Sequence, residues 1–240
     1  MNKKNISITQ RLENINWDSV IHQLSEFGCV RLNQILFHDE CNYLAALYPQ
    51  SEPFRTHIHM ARYNFGKGEY KYFNYPLPAI IAELRTGLYP KLATIANHWN
   101  EQLSIGVRYP ATHQAYLDIC HIANQTRPTP LLLQYLEGDY NCLHQDLYGE
   151  LVFPLQVVFL LSEPGSDFSG GEFVLTEQRP RMQTRTEVVS LKKGDAAIFA
   201  VHHRPVQGTK GIYRVNIRHG ISKVRSGQRH ALGIIFHDAQ

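Results

Sequence analysis

The chain has 240 residues, of which 43% are hydrophobic, 19% charged and 11% aromatic, with a formal net charge of +3. This composition is typical of a globular protein and excludes a low-complexity chain or a strongly basic nucleic-acid-binding tail. No run of about 18 apolar residues is present, so neither a transmembrane helix nor a membrane partner is expected. The four cysteines are scattered without a CxxC pair, which favours reduced thiols and a cytoplasmic location.

The first 128 residues are predicted to be mainly helical. A helical spacing of apolar residues ends at Gly28, and a second helix is expected in HDECNYLAALYP. The segment LPAIIAELRTGLYPKLATIANHWNEQL predicts a longer pair of helices, interrupted at Pro90. Between the second helix and this longer pair, residues 55–78 (the 55–78 segment) alternate aromatic and basic residues, which indicates a hairpin or a long functional loop.

Residues 129–240 have a different sequence pattern, with short runs of β-forming residues separated by turns. The turns include EPGSDFSGG, KKGD and QGTKG, and such spacing predicts an all-β barrel or sandwich. No internal repeat, low-complexity segment or linker interrupts the chain. We therefore expect residues 1–240 to form a single domain in which helices of residues 1–128 buttress a β-barrel of residues 129–240.

The segment YNCLHQDLYGE contains a histidine and an aspartate two residues apart in a predicted strand. Residues i and i+2 of a strand point to the same side, so His144 and Asp146 can reach one ion while Gln145 faces away. Imidazole and carboxylate ligands suit Fe(II), and a second histidine would complete a 2-His-1-carboxylate triad. Two polar residues that merely share a strand face would give the same pattern, so the interpretation depends on later residues.

A later strand should supply the second histidine. The segment GDAAIFAVHHRPVQG offers His202 and His203 directly after an apolar run. Further along, Arg214, Asn216 and Arg218 of YRVNIRHG share one face of a predicted strand. A buried arginine there would need a carboxylate partner, such as a dicarboxylate cosubstrate. Otherwise these arginines are surface charges on an exposed strand.

In this order of motifs the chain resembles the Fe(II)/2-oxoglutarate-dependent dioxygenases. In that family HxD, a distal His and an Arg or Lys about ten residues later lie on a double-stranded β-helix, with iron in a 2-His-1-carboxylate site. QYLEGDYNCLHQD is similar to the YxxG…HxD segment of alkylation-repair demethylases, and VVFLLSEPGSDFSGGEFVL is similar to a prolyl hydroxylase segment. The likeness extends from Thr129 to Asp238. The whole chain also resembles a bacterial group described as oxygenases for oxidative demethylation of damaged nucleic acid.

The resemblance implies an α+β fold with a double-stranded β-helix (jelly-roll) core buttressed by N-terminal helices. It makes His144 and Asp146 the first two metal ligands, and either His203 or His202 the third. We expect His203, because HRPV is closer to the family's sequence at this point and gives the usual spacing to Arg214.

The resemblance also implies a cosubstrate site. Arg214 would hold the distal carboxylate of 2-oxoglutarate, with Tyr135 as a hydrogen-bonding helper. Repair demethylases have RxNxTxR where this chain has RVNIRHG, so Arg214 and Asn216 match the pattern. Arg218 falls two positions early, and it could bind the cosubstrate in place of Arg214 or position a substrate.

The resemblance implies an enzyme that uses Fe(II), 2-oxoglutarate and O2, with ascorbate as a reductant. Oxidative decarboxylation of 2-oxoglutarate would be coupled to hydroxylation of a C–H bond. On alkylated nucleic acid this would be oxidative demethylation with release of formaldehyde, whereas the alternative is hydroxylation of a protein side chain or small metabolite. A non-catalytic, cupin-like metal-binding module is an alternative of another class, and it would not need Arg214.

The 55–78 segment allows two interpretations. Its interleaved basic and aromatic residues could bind phosphates and stack bases, or its aromatic residues could pack on the barrel with solvated charges. In either case it is a candidate lid over the barrel. His57 and His59 repeat the i, i+2 geometry, but they lack a carboxylate neighbour, so no metal is expected there.

Overall fold

The structure of the chain is a computed structural model, which describes residues 6–147 and 149–240. The helices are α1 Ile8–Glu13, α2 Trp17–Phe27, α3 His38–Ala46, α4 Ala79–Gln102 and α5 His113–Ile122. The strands are β1 Cys29–Leu32, β2 Phe54–His59, β3 Gly66–Lys67, β4 Glu69–Phe73, β5 Leu131–Leu136, β6 Tyr140–His144, β7 Leu155–Leu160, β8 Phe168–Gly170, β9 Phe173–Gln178, β10 Arg185–Val189, β11 Ala196–Ala200, β12 His203–Gly208, β13 Gly211–Ile221 and β14 Val224–Ile234.

The strands form two antiparallel sheets. The larger sheet has the order β1-β11-β7-β14-β5-β4-β2, with β8 paired to β14. The smaller sheet has the order β10-β9-β13-β6-β3, with β12 paired to β13. Residues of β5, β7, β11 and β14 from the larger sheet and of β6, β9 and β13 from the smaller one line a common cavity. The two sheets therefore face each other across that cavity, as expected of a jelly-roll core.

The N-terminal half contributes strands as well as helices. It was predicted to be mainly helical, but β1, β2 and β4 extend the larger sheet. The 55–78 segment forms the β2–β4 hairpin, and β4 pairs with β5 from the C-terminal half. Strand β4 is intermediate in burial along most of its length, because one of its faces contributes to the cavity. A short, half-buried strand of this kind gives a weaker sequence signal than a fully buried strand.

Helix α2 matches its prediction. The side chain of Asn16 accepts a hydrogen bond from the backbone N–H of Ser19 at 3.1 Å and caps the first turn. The helix ends at Gly28, whose φ of 74° is the left-handed conformation that glycine adopts without strain.

Helix α4 corrects the expectation of two helices separated at Pro90. It runs without interruption from Ala79 to Gln102, and Pro90 lies inside it on the exposed side. Proline removes one backbone hydrogen bond, but the buried residues on both sides, Tyr89 and Leu92, are fully enclosed by the core. Packing of this helical face therefore outweighs the local preference of proline to end a helix.

Among the described residues, no helix is long and apolar enough to span a membrane. The cytoplasmic location and the single-domain boundaries stay predictions.

Candidate active site

Two histidines and an aspartate meet in the wall of the cavity. His144, Asp146 and His219 each offer one ligand atom, and these atoms all lie within 4.8 Å of one another. The Nε2 atoms of His144 and His219 lie 3.3 and 3.5 Å from the two carboxylate oxygens of Asp146. Two imidazoles and one carboxylate are the donor set of non-haem Fe(II) oxygenases. The residues present therefore fit an iron ion.

The pairing of β6 with β13 brings this group together. His144 is the last residue of β6 and lies directly opposite His219 of β13. Residues opposite each other in an antiparallel pair have close side chains on the same face, and the two ring centroids are 4.2 Å apart. Asp146 follows the end of β6, where Gln145 donates hydrogen bonds to the carbonyls of His202 and Ile217 at 3.1 and 2.7 Å.

Local hydrogen bonding prepares His144 as a ligand. Its Nδ1 lies 2.7 Å from the carbonyl oxygen of Cys142, which accepts a hydrogen bond when this nitrogen carries the proton. That tautomer leaves Nε2, the atom beside Asp146, free to bind a metal ion. The Nδ1 of His219 is buried and has no hydrogen-bond partner among the described residues.

The electrostatics of the three groups suit a cation. Burial acts to raise the pKa of Asp146, but hydrogen bonds and charge from His144 and His219 outweigh it and hold that pKa well below its ordinary range. Burial lowers the pKa of His219. Burial also acts to lower the pKa of His144, yet the hydrogen bond and charge of Asp146 raise it overall. A metal ion would take the place of the proton that Asp146 favours on His144.

The predicted third ligand, His203 or His202, does not belong to this group. His203 lies opposite Asn216 across the β12–β13 pair, and Asn216 is three residues from His219. Because side chains alternate along a strand, an odd separation places Asn216 and His219 on opposite faces. Asn216 is exposed and His219 buried. His203 instead contacts His202, Nδ1 to Nδ1 at 2.8 Å, and it is His219 that lies beside His144 and Asp146.

Arg229 is a buried cation beside the cavity. It is 1% exposed, lines the cavity, and leaves its Nε and Nη1 without a hydrogen-bond partner among the described residues. Burial lowers its pKa to about 10, so it remains charged at neutral pH. The negative charge of Glu172 acts to raise the pKa of Arg229, but Glu172 does not form an ion pair with it. Glu172 instead accepts a hydrogen bond from the hydroxyl of Ser222. A buried, unpaired guanidinium is costly, so this group points to an anionic ligand.

Tyr135 lines the cavity beside Arg229. It is fully buried, and the Arg229 guanidinium lies 5.6 Å from its ring centroid. Burial raises the pKa of Tyr135, so the phenol stays protonated and can donate a hydrogen bond. Its hydroxyl makes no hydrogen bond of normal geometry among the described residues, although the Asn141 side chain acts to lower its pKa. Arg229 and Tyr135 can therefore bind a carboxylate together.

The predicted cosubstrate residues on β13 lie elsewhere. Arg214, Asn216 and Arg218 share a strand face, as predicted, but all three are exposed and none lines the cavity. The inward positions between them, Val215 and Ile217, are buried. The structure thus corrects Arg214 and Arg218 as carboxylate-binding candidates, because the alternation of the strand turns their side chains outward.

The sequence contained a signal for His219 and Arg229, which were not among the predicted site residues. From His219 to Arg229 is ten positions, and from His203 to Arg214 is eleven, so both pairs satisfy the expected spacing. The HxD motif cannot choose between them, since the choice depends on which strand lies beside β6 and which way its residues face.

An exposed aromatic and basic group lies at the rim of the cavity. The rings of Tyr63 and Phe65 stack, with centroids 5.5 Å apart at 20°, and Phe65 also lines the cavity. Arg62 and Lys67 beside them are exposed. We call these four residues the rim group.

Residues 68–239 match the model of the Oxygenase-NA family, described as "Oxygenase, catalysing oxidative methylation of damaged DNA". Two uncharacterized proteins of Mycobacterium tuberculosis, from strains CDC 1551 / Oshkosh and ATCC 25618 / H37Rv, are each 49% identical over 167 residues. The match covers 70% of this chain and 72% of each relative.

Solved structures share the fold at low identity. A prolyl hydroxylase from Trichoplax adhaerens, in complex with a hypoxia inducible factor peptide fragment, has a TM-score of 0.58 at 14% identity and covers 98% of this chain and 93% of its own. A Pseudomonas putida prolyl-4-hydroxylase has a TM-score of 0.53 at 14% identity, covering 93% and 99%. A 2OG-Fe(II) oxygenase family oxidoreductase from Burkholderia pseudomallei has a TM-score of 0.54 at 15% identity, covering 94% and 93%. The predicted double-stranded β-helix is confirmed.

Proposed function

We propose a role for each site residue of this chain, which belongs to the Oxygenase-NA family and is therefore an oxidoreductase on the 2-oxoglutarate/Fe(II) oxygenase fold. His144, Asp146 and His219 hold Fe(II), and Arg229 with Tyr135 holds 2-oxoglutarate. The observation that carries this proposal is the buried Arg229 guanidinium, which has no ion pair in the described part of the chain and lies in the wall of the same cavity as the triad.

Bound Fe(II) would supply the activation of O2 that no protein side chain provides. The chain itself does the binding and positioning. Asp146 supplies the negative charge of the metal site, and the Cys142 carbonyl fixes the tautomer of His144. Arg229 and Tyr135 select an anion, since a buried guanidinium and a protonated phenol both gain a partner from a carboxylate. Apolar residues such as Val157 and Phe199 exclude water from the rest of the cavity.

The proposed metal site is tested by comparing His219→Ala with His203→Ala. We expect His219→Ala to lose Fe(II) affinity by more than about 100-fold, since even the outer hydrogen-bond partners of ligands contribute about 10–100-fold. Succinate formation from 2-oxoglutarate, with Fe(II) and ascorbate, should fall with it. His203→Ala should retain both. Loss of iron in His203→Ala with retention in His219→Ala would contradict the assignment.

For the substrate, we propose alkylated nucleic acid that undergoes oxidative demethylation. The family description names damaged DNA, and the rim group offers what a nucleotide needs beside a buried reaction site. Stacked Tyr63 and Phe65 provide aromatic faces for bases, and exposed Arg62 provides charge for phosphates. Lys67 is also exposed, but its ammonium lies 3.5 Å from Asp139, which balances part of its charge. A target base displaced from its stack would enter the cavity past Phe65.

A parallel assay separates the two substrate classes. Methylated oligonucleotides should release formaldehyde, whereas hydroxylation of peptides or small metabolites would appear as a gain of one oxygen by mass spectrometry. We expect a Tyr63→Ala/Phe65→Ala variant to raise KM for the oligonucleotide about 10- to 100-fold, given about 1–3 kcal/mol per stacked base. Turnover of 2-oxoglutarate without substrate should be unchanged.

The matched control is Tyr43→Ala, an exposed tyrosine on α3 outside the cavity, which should behave as wild type. Oxygen gain on peptides, without formaldehyde release from any oligonucleotide, would replace this proposal with the protein-hydroxylase alternative. The non-catalytic module is set aside by the chain's membership of an oxygenase family.

A further inference from the structure

A second group of metal-ligating side chains lies on the β2–β4 hairpin. His59 is opposite Glu69 in the hairpin register, and His57 is on the same face of β2. His57 Nε2 lies 2.8 Å from one oxygen of Glu69, and His59 Nδ1 lies 3.1 Å from the other. One ligand atom from each of the three lies within 4.8 Å of the others. The hairpin thus supplies the carboxylate that the local sequence lacks.

This group is separate from the catalytic cavity. Tyr70 and Tyr72 of β4 line the cavity, so the alternation of the strand turns Glu69 to the opposite face of the sheet. The three side chains are 38–39% exposed, which leaves them accessible to an ion from solvent.

We propose that His57, His59 and Glu69 form a second metal site, for a divalent ion of the zinc class. Two histidines and a glutamate, with water in the fourth position, are an established donor set for Zn²⁺. The hydrogen bond between His57 and Glu69, and the close approach of His59 to the same carboxylate, already place one nitrogen of each imidazole beside it.

The surroundings of the site support a bound ion. Buried Tyr48 donates its hydroxyl to Glu69 at 3.4 Å, as the outer partners of metal-bound carboxylates do. Lys71, the residue opposite His57, donates its ammonium to the carbonyls of Tyr48 and Gln50 at 2.8 and 3.3 Å, so its charge is engaged there. A bound ion would clamp β2 to β4, the strand whose other face lines the cavity.

The test is a zinc titration of the metal-free chain against a chromophoric chelator. We expect two equivalents in wild type, one in His57→Ala/His59→Ala, one in His144→Ala/Asp146→Ala, and none in the combined variant. Glu69→Gln should weaken the second site at least tenfold, because it removes the charged ligand. His98→Ala, an exposed histidine on α4, is the control and should still bind two equivalents.

Cobalt(II) gives an independent readout. In His144→Ala/Asp146→Ala, the visible absorption of bound Co²⁺ should report nitrogen and oxygen ligands and should vanish when His57 and His59 are also replaced. Circular dichroism verifies folding of each variant. An unchanged zinc count in His57→Ala/His59→Ala would overturn the proposal and leave Glu69 as the carboxylate partner of two histidines.

Discussion

Arg229 makes the most specific prediction at the scale of single residues. Its charge is buried and has no ion pair within residues 6–147 and 149–240, so a dicarboxylate would give Arg229 the partner that this part of the chain lacks. Removing one member of a buried charge pair costs about 3–5 kcal/mol, so Arg229→Gln should raise KM for 2-oxoglutarate about 100- to 4,000-fold. Steady-state assays of succinate formation measure this change.

Arg214→Gln is the matched control, since Arg214 is exposed on β13. We expect its KM for 2-oxoglutarate to stay close to that of wild type. The reverse pattern would favour the original sequence prediction. We also expect 2-oxoglutarate to raise the Tm of the wild-type chain and not that of Arg229→Gln, because a ligand stabilises only the state that binds it.

At the scale of elements, the pairing of β6 with β13 sets the geometry of the proposed metal site. The register of this pair shifts between His219 and Ile221, and Gly220 lies at the irregularity. A Cβ added at Gly220 would come within 2.7 Å of the Asn141 carbonyl oxygen, which is backbone and cannot rotate away. Glycine is therefore required here for close approach of the two strands.

Gly220→Ala should push β6 from β13 and move His144 away from His219. We expect Fe(II) affinity to fall about 10- to 100-fold, the range seen when the supports of metal ligands are disturbed. Iron binding and circular dichroism are measured together. Gly106→Ala is the control, because a Cβ there meets no atom within 4 Å. Equal iron affinity in the two variants would refute the role of this close approach.

At the scale of the whole molecule, a buried ion-pair network joins the C-terminal end to the N-terminal half. Asp238, whose side chain is fully buried, accepts hydrogen bonds from Arg85 of α4 at 2.8 Å and from the hydroxyl of Tyr75 at 3.0 Å. His121 Nε2 of α5 lies 2.8 Å from the same carboxylate. This network holds two helices against the end of β14, since Arg85 also donates to the carbonyl of Ile235.

Asp238→Asn should lower the free energy of unfolding by about 3–5 kcal/mol, because Arg85 would remain buried without its counter-ion. Urea denaturation measures the change. Asp118→Asn, an exposed aspartate on α5, should change it by less than about 0.5 kcal/mol. A loss below 1 kcal/mol in Asp238→Asn would show that the network contributes little.

The same residue predicts a pH dependence. Burial acts to raise the pKa of Asp238, but the charge of Arg85 and hydrogen bonds from His121, Arg85 and Tyr75 lower it overall. A carboxyl with a lowered folded-state pKa stabilises the fold above its unfolded pKa of about 4, and loses this contribution as pH falls through the folded value. Unfolding free energies of wild type and Asp238→Asn should therefore begin to converge near about pH 4 and meet only below the lowered folded-state pKa.

Local sequence determined much of this protein. The caps and periodicity of α2, the turn-punctuated strands after residue 129, and the HxD pair with Tyr135 are short-range patterns that carry their own physical signal. The order of the motifs was sufficient to indicate the family. The continuity of α4 through Pro90 was not predictable locally, because burial on both sides of the proline decided it.

Only the tertiary structure decided which distal residues join the site. His203 and His219 are both histidines on late strands, and Arg214 and Arg229 both follow at suitable spacing. Register and alternation distinguish them, since a shift of one residue turns a side chain from the cavity to solvent. The meeting of His57 and His59 with Glu69 has the same origin. Contacts between strands depend on their pairing, which a linear spacing of residues does not specify.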